Sequence, residues 1–235
     1  SAYSGGGGLR CNAQGGSCSP TLRNLTFSGN YASSGGALFN SGNNGIASPL
    51  ITHSTFTGNV SGASGGALYN SVGGTGSSSP RVEHSTFSGN RATGGGVAGG
   101  GAIFNTSPAQ LDVAFSTFYG NTATNRGGAI ANSGSATITA SVFWGNTTGS
   151  LGAQIFLDGN SGTTDLDGNL VQGGCGGVYA VPNAVCSGNP LTGDPLLGTL
   201  QDNGGPTRTM LPGASSPALG AATCTTGDTD QRGVA

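Results

Sequence analysis

The acidic side chains and the two histidines are the groups of this sequence that could act in catalysis or hold a metal ion. Enzymes that cleave polysaccharides on β-structures use paired carboxylates, a Ca²⁺-binding aspartate cluster or a basic residue on one face. Among the nine acidic residues, only Asp158, Asp165 and Asp167 cluster within the first 172 positions. Asp165 and Asp167 would share one side of a strand, but their spacing is more typical of a solvated turn. We therefore predict no catalytic residue, with a weak Ca²⁺ site as the alternative.

The histidines occupy equivalent positions, because His53 and His84 each stand three residues before a Phe. Elsewhere the same slot holds Asn24, Phe115 or Ala140, and no Cys or Asp accompanies the histidines there. Zinc sites combine imidazole with further His, Cys or carboxylate ligands. We therefore predict stacked corner residues rather than metal ligands, and we expect neither a metal ion nor a cofactor.

The five cysteines indicate disulfides and an oxidising compartment. Cys11 and Cys18 flank one Gly-rich loop, and Cys175 and Cys186 flank another. These spacings predict the bridges Cys11–Cys18 and Cys175–Cys186, with Cys224 unpaired or linked to something outside this chain. Zinc is the less favoured alternative, because there is no CxxC and both histidines are distant in sequence. A bridge between Cys186 and Cys224 is the main alternative pairing.

An internal repeat determines the elements that position all of these side chains. A tetrad Phe-x-Gly-Asn recurs every 25 to 31 residues, at Phe27–Asn30, Phe56–Asn59, Phe87–Asn90, Phe118–Asn121 and Phe143–Asn146. A second motif, Gly-Gly-Ala-Leu/Ile-x-Asn, follows at Gly35–Asn40, Gly65–Asn70, Gly100–Asn105 and Gly127–Asn132, with a degenerate copy from Gly152. A further apolar position precedes each Phe, at Leu22, Ile51, Val82, Val113 and Ile138.

Each period thus holds three short apolar runs. Such short strands can bury their apolar sides only if the chain coils. Each strand then pairs with its copy one turn later, about 4.8 Å away. The sequence predicts an all-β, right-handed parallel β-helix of about six to seven coils over residues 1–172, closed by an irregular C-terminal cap over residues 173–235. The Phe column would lie in the core, and the Asn column would stack at a tight bend where Asn tolerates left-handed backbone. Ser71–Ser79 and Thr93–Gly99 would form loops on one edge.

The residues beside each Phe suggest a possible ligand face, because they point outward if Phe points inward. Thr precedes Phe in the first four repeats, and Ser or Thr follows it in the first three. A flat Thr-rich array containing Thr55, Thr57 and Thr86 resembles an ice-binding surface, although Thr also simply suits exposed strands. Tyr119 and Trp144 occupy the following slot in later repeats and could stack on sugar rings.

Composition narrows the classes of partner. Gly accounts for 48 residues, charged residues for only 7%, and the basic residues are scattered arginines. Without a basic patch to neutralise phosphates, we expect no nucleic-acid partner. No stretch of 18 apolar residues is present, so we expect no membrane insertion by this chain. No leader features follow Ser1, and we interpret the chain as a mature or trimmed product.

The two repeated motifs resemble the FxxN and GGA[ILV] repeats of the chlamydial polymorphic outer membrane proteins and related bacterial β-helix surface proteins, over roughly residues 5–160. The C-terminal part resembles the choice-of-anchor Q domain, whose family members carry cell-surface sorting anchors. The matching segments are Asp194–Gly198, Leu200–Thr209, Leu211–Gly213, Ser216–Ala218 and Thr229–Gly233, whereas Leu219-Gly-Ala departs from the family pattern. These resemblances imply a secreted or cell-surface location.

Together these features predict a non-enzymatic extracellular or cell-surface module that is structural or adhesive. Its partners would be cell-surface glycans or a second copy of itself, since motif residues begin at Gly6 and nothing in the sequence predicts a helix over the first rung. End-to-end pairing of that kind would give a filament. A polysaccharide lyase or glycoside hydrolase is the alternative function, and a carbohydrate- or ice-binding face is the third.

Overall fold

The computed structural model describes residues 5–95, 98–160, 162–223 and 229–234. The chain is a parallel β-solenoid of about six turns, which confirms the predicted all-β class and coiled architecture. Regular helix within the described residues is limited to one 3-10 turn at Gly174–Gly177.

The strands are short, as expected for a coil that turns every few residues. In chain order they are β1 (Leu9–Gln14), β2 (Ser17–Cys18), β3 (Thr21–Arg23), β4 (Thr26–Ser28), β5 (Tyr31–Ala32), β6 (Leu38–Asn43), β7 (Ile46–Ala47), β8 (Leu50–Thr52), β9 (Thr55–Thr57), β10 (Val60–Ser61), β11 (Leu68–Gly73), β12 (Ser77–Ser78), β13 (Arg81–Glu83) and β14 (Thr86–Ser88). They continue with β15 (Arg91–Ala92), β16 (Ile103–Asn105), β17 (Gln110–Ala114), β18 (Thr117–Tyr119), β19 (Thr122–Ala123), β20 (Ile130–Asn132), β21 (Ser135–Thr139), β22 (Val142–Trp144), β23 (Thr147–Thr148), β24 (Ile155–Leu157), β25 (Thr163–Asp165), β26 (Leu170–Val171), β27 (Val178–Ala180) and β28 (Val185–Ser187).

Equivalent strands of successive coils pair in parallel. Five sheets run along the solenoid, and β25 with β28 form a sixth, two-stranded sheet. Sheet 1 holds β1, β6, β11, β16, β20, β24 and β27, and sheet 2 holds β2, β7 and β12. Sheet 3 holds β3, β8, β13, β17 and β21, sheet 4 holds β4, β9, β14, β18, β22 and β26, and sheet 5 holds β5, β10, β15, β19 and β23. Each of the first three coils therefore passes through all five sheets, whereas the fourth and fifth coils pass from sheet 1 directly to sheet 3.

The core is a set of apolar columns that run along the solenoid axis. The Phe rings of sheet 4 stack with centroids 4.6 to 4.9 Å apart and with nearly parallel planes, from Phe27 through Phe56, Phe87 and Phe118 to Phe143. Opposite them, sheet 1 contributes the buried column Leu38, Leu68, Ile103, Ile130 and Ile155. Because the strands pair in register, each side chain packs on its own copy one rung away.

The bend after each Phe is held by a ladder of asparagines, which are buried from Asn59 onward. Asn30 donates from Nδ2 to Oδ1 of Asn59 at 2.8 Å. The same bond joins each asparagine to the next, from Asn59 to Asn90, from Asn90 to Asn121 and from Asn121 to Asn146. Each of these oxygens also accepts the backbone N–H of the previous Asn. At the far end, Asn146 donates to Oε1 of Gln154 at 2.7 Å. The degenerate fifth copy of the second motif therefore supplies the group that terminates the ladder.

The left-handed residues at this bend are the glycines before the asparagines, with φ between 62° and 66° at Gly29, Gly58, Gly89, Gly120 and Gly145. The prediction of left-handed Asn is therefore wrong, because Gly takes that conformation without a Cβ penalty. A second left-handed corner lies three residues before each Phe, at Asn24, His53, His84, Phe115 and Ala140, with φ between 45° and 59°. There the chain turns from sheet 3 into sheet 4.

A serine column follows that second corner. Ser54, Ser85, Ser116 and Ser141 are buried, and each hydroxyl accepts the backbone N–H of the preceding coil at 3.1 to 3.3 Å. Each hydroxyl also donates to the carbonyl oxygen two residues earlier. The column satisfies corner amides that the strands leave unpaired. Sequence inspection missed it, although Ser directly follows the corner in four of the five repeats.

The Gly-Gly pair of the second motif lies where successive coils come closest. Gly65 has a φ of +65°, and a Cβ on Gly66 would collide with the carbonyl oxygen of Gly101 in the next coil. Alanine follows the pair in four copies and is buried. The motif is thus explained by backbone crowding.

The two insertions lie on different sides of the solenoid, so their predicted location on one edge is wrong. Ser71–Ser79 extends β11 and includes β12, between sheets 1 and 3. The described part of Thr93–Gly99 lies after β15, between sheets 5 and 1. The first insertion widens the third coil relative to the fourth, because Ile103–Asn105 is separated from Gln110 by only a short connection.

Two disulfides tie the ends of the solenoid. Cys11 in β1 is bonded to Cys18 in β2, and Cys175 in the 3-10 turn is bonded to Cys186 in β28, in the predicted pairing. Cys224 lies outside the described residues. Parallel pairing continues past residue 172, because β27 pairs with β24 and β28 pairs with β25. The coils therefore extend into the region that the sequence predicted to be the cap.

The C-terminal region folds back along the side of the solenoid. Thr207 donates from Oγ1 to the carbonyl oxygen of His53 at 3.0 Å, across 154 positions of sequence. Gln231 reaches Ser54 and Thr55 in the same coil. These residues therefore bind the second and third coils from the side.

Candidate functional site

Residues 203–209 and 229–234 form a clasp that is bonded to the outside of the coils. Its centre is Gln231, whose Nε2 donates to Oγ1 of Thr55 at 3.1 Å and to Oγ1 of Thr207 at 3.0 Å. Its Oε1 accepts the hydroxyl of Thr86 at 2.7 Å. One amide side chain thus links the C-terminal region to strands β9 and β14 of sheet 4.

The clasp brings together two motifs that are far apart in sequence. Gly205 has a φ of +106°, and a Cβ there would lie 2.7 Å from Cα of Arg232. Only glycine lets these segments approach so closely. Arg232 binds Asp230 through Nε at 2.7 Å and Nη2 at 2.6 Å. The stretches at 200–209 and 229–233 therefore form one unit.

Asp230 is the charged centre of this unit. Burial opposes its ionisation, but hydrogen bonds from the Arg232 side chain and from the backbone N–H groups of Val234 and Arg232 outweigh that effect and lower its pKa. A carboxyl whose pKa is lower in the folded protein stabilises the fold above its ordinary pKa, and the contribution is lost as the pH falls through the folded value. The Asp230–Arg232 pair thus strengthens the clasp at neutral pH. Asp228 lies outside the described residues.

The clasp covers part of the predicted ligand face, so the open Thr array is wrong for the two central threonines. Thr55 and Thr86 point outward from the Phe column, but they are 0% and 2% exposed. Thr55 donates to the carbonyl oxygen of Arg208 at 2.6 Å, and Thr86 donates to Gln231. The alternation along the strand gave the correct direction, but it contains no information about what packs on the outside.

The following slot on sheet 4 stays at the surface. Thr57, Tyr119 and Trp144 are half-buried, and Tyr119 pairs with Trp144 across adjacent strands. Beside them, Gln172 accepts the backbone N–H of Gly145 at 2.8 Å. This aromatic strip, Tyr119 and Trp144, presents apolar ring surface with an amide at its edge, which suits contact with sugar rings.

A second, longer aromatic column runs along the outside of sheet 1. Phe39, Tyr69 and Phe104 stack with centroids 5.4 and 5.5 Å apart, and burial raises the pKa of Tyr69. Ala131 interrupts the column. Sequence reasoning missed these rings, although the aromatic residue before the motif's Asn signals them. Because the rings cover one another's faces, their edges form most of the exposed surface.

Two arginines extend this column where rings are missing. Arg10 lies over Phe39 at 5.1 Å from the ring centroid. Arg126 lies over Phe156 at 4.8 Å, next to the position where Ala131 leaves a gap. Cations over ring faces are favourable at such sites. The column is therefore completed by guanidinium groups within the chain.

The two histidines stack at the second left-handed corner, where the sequence placed them. Their ring centroids are 5.1 Å apart, and His84 stacks on Phe115 at 5.0 Å. Burial, Arg23 and His84 lower the pKa of His53, in that order of effect, although Glu83 and Asp230 oppose them. Within the described part of the chain, no group of three His, Cys, Asp or Glu residues is arranged to hold a metal ion.

The acidic cluster near residue 165 forms a turn. Asp165 ends β25 and accepts the backbone N–H of Asp167 on Oδ1 at 3.1 Å. Leu166 between them is buried. Asp158 follows β24 on another side of the coil, where it accepts the hydroxyl of Ser133 at 3.4 Å. The three aspartates therefore have separate local roles in the structure.

A cleft of about 530 Å³ lies between the C-terminal region and the second left-handed corner at His84, Phe115 and Ala140. Its wall on the solenoid includes Phe115 and Val142, and its wall on the C-terminal side includes Met210, Leu211 and Pro212.

In the described residues, no helix has the length and apolarity needed to cross a membrane.

The glutamine clasp yields a direct prediction. Gln231→Ala should release the C-terminal region from sheet 4 and lower the free energy of unfolding by about 2–4 kcal/mol, because Thr86, Thr55 and Thr207 lose buried partners. Hydrogen exchange should show faster exchange around residues 203–209, and chemical denaturation gives the stability change.

Gln201→Ala is the matched control for this substitution. Gln201 lies in the same region and is exposed. Its side chain donates to the nearby Asn203 at 3.0 Å and accepts the hydroxyl of Thr199 at 3.5 Å, and both contacts are exposed. We expect a change below about 0.5 kcal/mol there. Equal effects of the two substitutions would contradict the clasp.

Comparison with protein families finds that the chain is similar to the Chlamydia polymorphic membrane protein (Chlamydia_PMP) repeat at residues 24–41, 53–71 and 115–133. Each matched segment begins at the second left-handed corner and ends just after the buried Asn of sheet 1. The match covers three of the five repeats and points to a surface- or outer-membrane-associated β-helix protein. No curated protein and no solved structure matches the chain.

Proposed function

We propose that this chain, whose coils are similar to the Chlamydia polymorphic membrane protein repeat, is a non-enzymatic structural and adhesive module, secreted or displayed at a cell surface. The observation that carries the proposal is the continuous internal ladder system. The stacked Phe rings and Asn amides link every coil to the next, so the solenoid resists bending between coils. Each coil adds about 4.8 Å of length, which makes such a fold a stiff spacer.

Two further features support an extracellular role. The disulfides Cys11–Cys18 and Cys175–Cys186 persist in oxidising compartments, and both lie near ends of the solenoid. The strands β4, β9, β14, β18 and β22 of sheet 4 carry Ser, Thr, Tyr and Trp beside the Phe column and contain no charged residue, which is a surface suited to polar, uncharged partners.

The C-terminal region completes the proposal as the part that transmits attachment. Its resemblance to a choice-of-anchor Q domain implies a sorting anchor beyond it. Because Gln231 binds the second and third coils, a force applied at the C-terminal end would reach those coils directly. We propose that the clasp is the mechanical link between anchor and solenoid.

Self-assembly into filaments belongs to the same proposal. Among the described strands, sheet 1 ends on β1 and β27, and parallel edges of this kind can pair with another chain. Pairing of unlike ends does not close on itself and therefore propagates. The low charge of the chain, 7% of residues, opposes such stacking only weakly.

One experiment separates these functions from the enzymatic alternative. The purified chain, coupled to beads, should adhere to glycan-coated surfaces and release no reducing or unsaturated sugars from pectin or alginate. If the chain releases sugars and the double substitution Asp165→Ala, Asp167→Ala abolishes that release, the proposal is wrong and the chain is a polysaccharide-cleaving enzyme. Electron microscopy and sedimentation of the same preparation test the filament, which a strictly monomeric species at high concentration would rule out.

A carbohydrate-binding strip on sheet 4 is the second candidate. The observation that favours it is that Tyr119 and Trp144 stay at the surface while Thr55 and Thr86 are covered. The same covering disfavours ice binding, which needs a flat, uncovered Thr array. Binding of the chain to ice crystals would contradict this ranking.

A further inference from the structure

We propose that a notch on sheet 3 binds a neutral oligosaccharide, with its chain along the solenoid axis. The notch has a volume of about 480 Å³, and its polar lining is Ser79, Arg81, Gln110, Asp112, Ser135 and Thr137. The inference rests on the proposed adhesive function and assigns it a ligand class and a place separate from the aromatic strip.

The notch arises from the change in coil width. In the third coil the chain passes through β12 of sheet 2 before it enters sheet 3 at β13. In the fourth and fifth coils no strand of sheet 2 intervenes, and β17 and β21 are longer than β13. A wide coil stacked on narrower ones leaves a shelf, and the lining comes from these three consecutive coils. The recess is therefore built into the backbone.

The lining is held in place but remains accessible. Arg81 binds Glu83 through Nη2 at 3.0 Å and approaches Asp112 through Nε at 3.7 Å, while the Arg81 and Asp112 side chains are 60% and 49% exposed. Gln110 accepts the hydroxyl of Ser79 at 3.3 Å. Buried Pro80 and Leu111 line the same recess. Partners inside the chain thus orient these groups without covering them.

These groups match the hydrogen-bonding chemistry of sugar hydroxyls, which both donate and accept. The Asp112 carboxylate only accepts, the Arg81 guanidinium only donates, and the hydroxyls of Ser135 and Thr137 do both. Adjacent rungs are about 4.8 Å apart, so a ligand that contacts three rungs must be extended. An oligosaccharide satisfies this requirement better than a single sugar.

Charge selects a neutral ligand over an acidic one. The network of Arg81, Glu83 and Asp112 contains one cation and two carboxylates, so it carries net negative charge at neutral pH. A polymer of uronic acids or a phosphorylated ligand would bring further negative charge to this network, and like charges within a few ångströms repel. Neutral hydroxyl-rich chains avoid that repulsion.

The test compares three variants in a glycan array and by calorimetry, with neutral hexosaccharides and oligogalacturonate as probes. Asp112→Ala should weaken binding of the neutral probe at least tenfold, because a charge-assisted hydrogen bond contributes about 1.5–3 kcal/mol. Asp158→Ala removes an acid on another side of the coil. It serves as the matched control and should bind as the unmodified chain does. The double variant Tyr119→Ala, Trp144→Ala tests the aromatic strip as the competing site. Thermal melting should be unchanged for Asp112→Ala, whose side chain is half exposed.

Three outcomes would overturn the notch. In the first, Asp112→Ala leaves glycan binding intact and the double variant Tyr119→Ala, Trp144→Ala abolishes it. The site would then lie on the aromatic strip, and the adhesive function would stand. Tighter binding of oligogalacturonate than of the neutral probe contradicts the charge argument. If the unmodified chain binds no glycan probe, the notch fails, while the anchored spacer role is judged separately by surface display.

Discussion

Replacing Phe87 by Ala should lower the free energy of unfolding by about 3–5 kcal/mol, the range for removing a large buried aromatic side chain. Phe87 is 0% exposed, and its ring stacks between Phe56 and Phe118 at centroid distances of 4.6 and 4.9 Å. The backbone around it is fixed by parallel pairing on both sides, so the walls of the cavity have little freedom to collapse. The change is measured by chemical denaturation at equilibrium.

Phe27→Ala is the control within the same column. Phe27 is half-buried and stacks on one neighbour, Phe56, at 4.7 Å. We expect a loss of roughly 1–2 kcal/mol, because only part of its apolar area leaves water on folding. If Phe87→Ala does not fold, Phe87→Leu, which retains most of the volume, should cost less than about 1.5 kcal/mol.

The comparison decides whether the Phe column is the core of the coil. Losses that follow burial, largest in the middle of the column and smaller at Phe27, support the stacked arrangement. A loss below about 1 kcal/mol for Phe87→Ala would contradict it, since a ring between two others cannot be removed without a cavity.

The repeat accounts for most of what the sequence predicts about the fold. A Phe or Asn that recurs every coil must stack on its own copy once the strands pair in register, so the columns follow from spacing alone. The same reasoning misplaced the left-handed residue, because Gly89 and Asn90 are neighbours at one bend and either type tolerates that backbone. The structure assigns the left-handed conformation to Gly89, which has a φ of +65°.

The candidate sites were harder to predict, because they depend on contacts between unlike parts of the chain. Gln231 and Thr55 lie 176 positions apart, and no periodicity connects them. The outward direction of Thr55 and Thr86 followed from strand alternation, but the covering by the clasp did not. The notch likewise depends on the difference between a coil with β12 and a coil without it, which the spacing of motifs shows only as a change of period.

The Asn ladder differs from the Phe column in that its stability depends on the donor and acceptor pattern rather than on volume. Asn90 accepts the N–H and Nδ2 of Asn59 on Oδ1 at 3.0 and 2.8 Å. Its own Nδ2 donates to the carbonyl oxygen of Phe56 at 3.0 Å and to Oδ1 of Asn121 at 2.9 Å. A side chain of identical shape with a different pattern should therefore fail at this position.

Asn90→Asp makes that change and should cost roughly 4–6 kcal/mol at neutral pH, more than Asn90→Ala at about 3–4 kcal/mol. A second oxygen would face the acceptors on Phe56 and Asn121, and a buried carboxylate without a cation is strongly unfavourable. Because the ladder is 0% exposed at Asn90, solvent cannot relieve the repulsion. Chemical denaturation of both variants at pH 7 measures the difference.

The pH dependence of the same pair gives the sharper test. Burial without a positive partner should raise the pKa of the new carboxyl in the folded state above its unfolded value of about 3.9. A raised acid binds more protons when folded, so the stability of Asn90→Asp should increase as the pH falls from 7 towards 4, relative to the unmodified chain. Asn90→Ala introduces no titrating group and should keep a constant difference, and Asn43→Asp, on the half-buried outer side of β6, should show little change. A pH-independent deficit for Asn90→Asp would mean that the ladder position tolerates a carboxylate, and the donor and acceptor pattern would then not determine the fold at this bend.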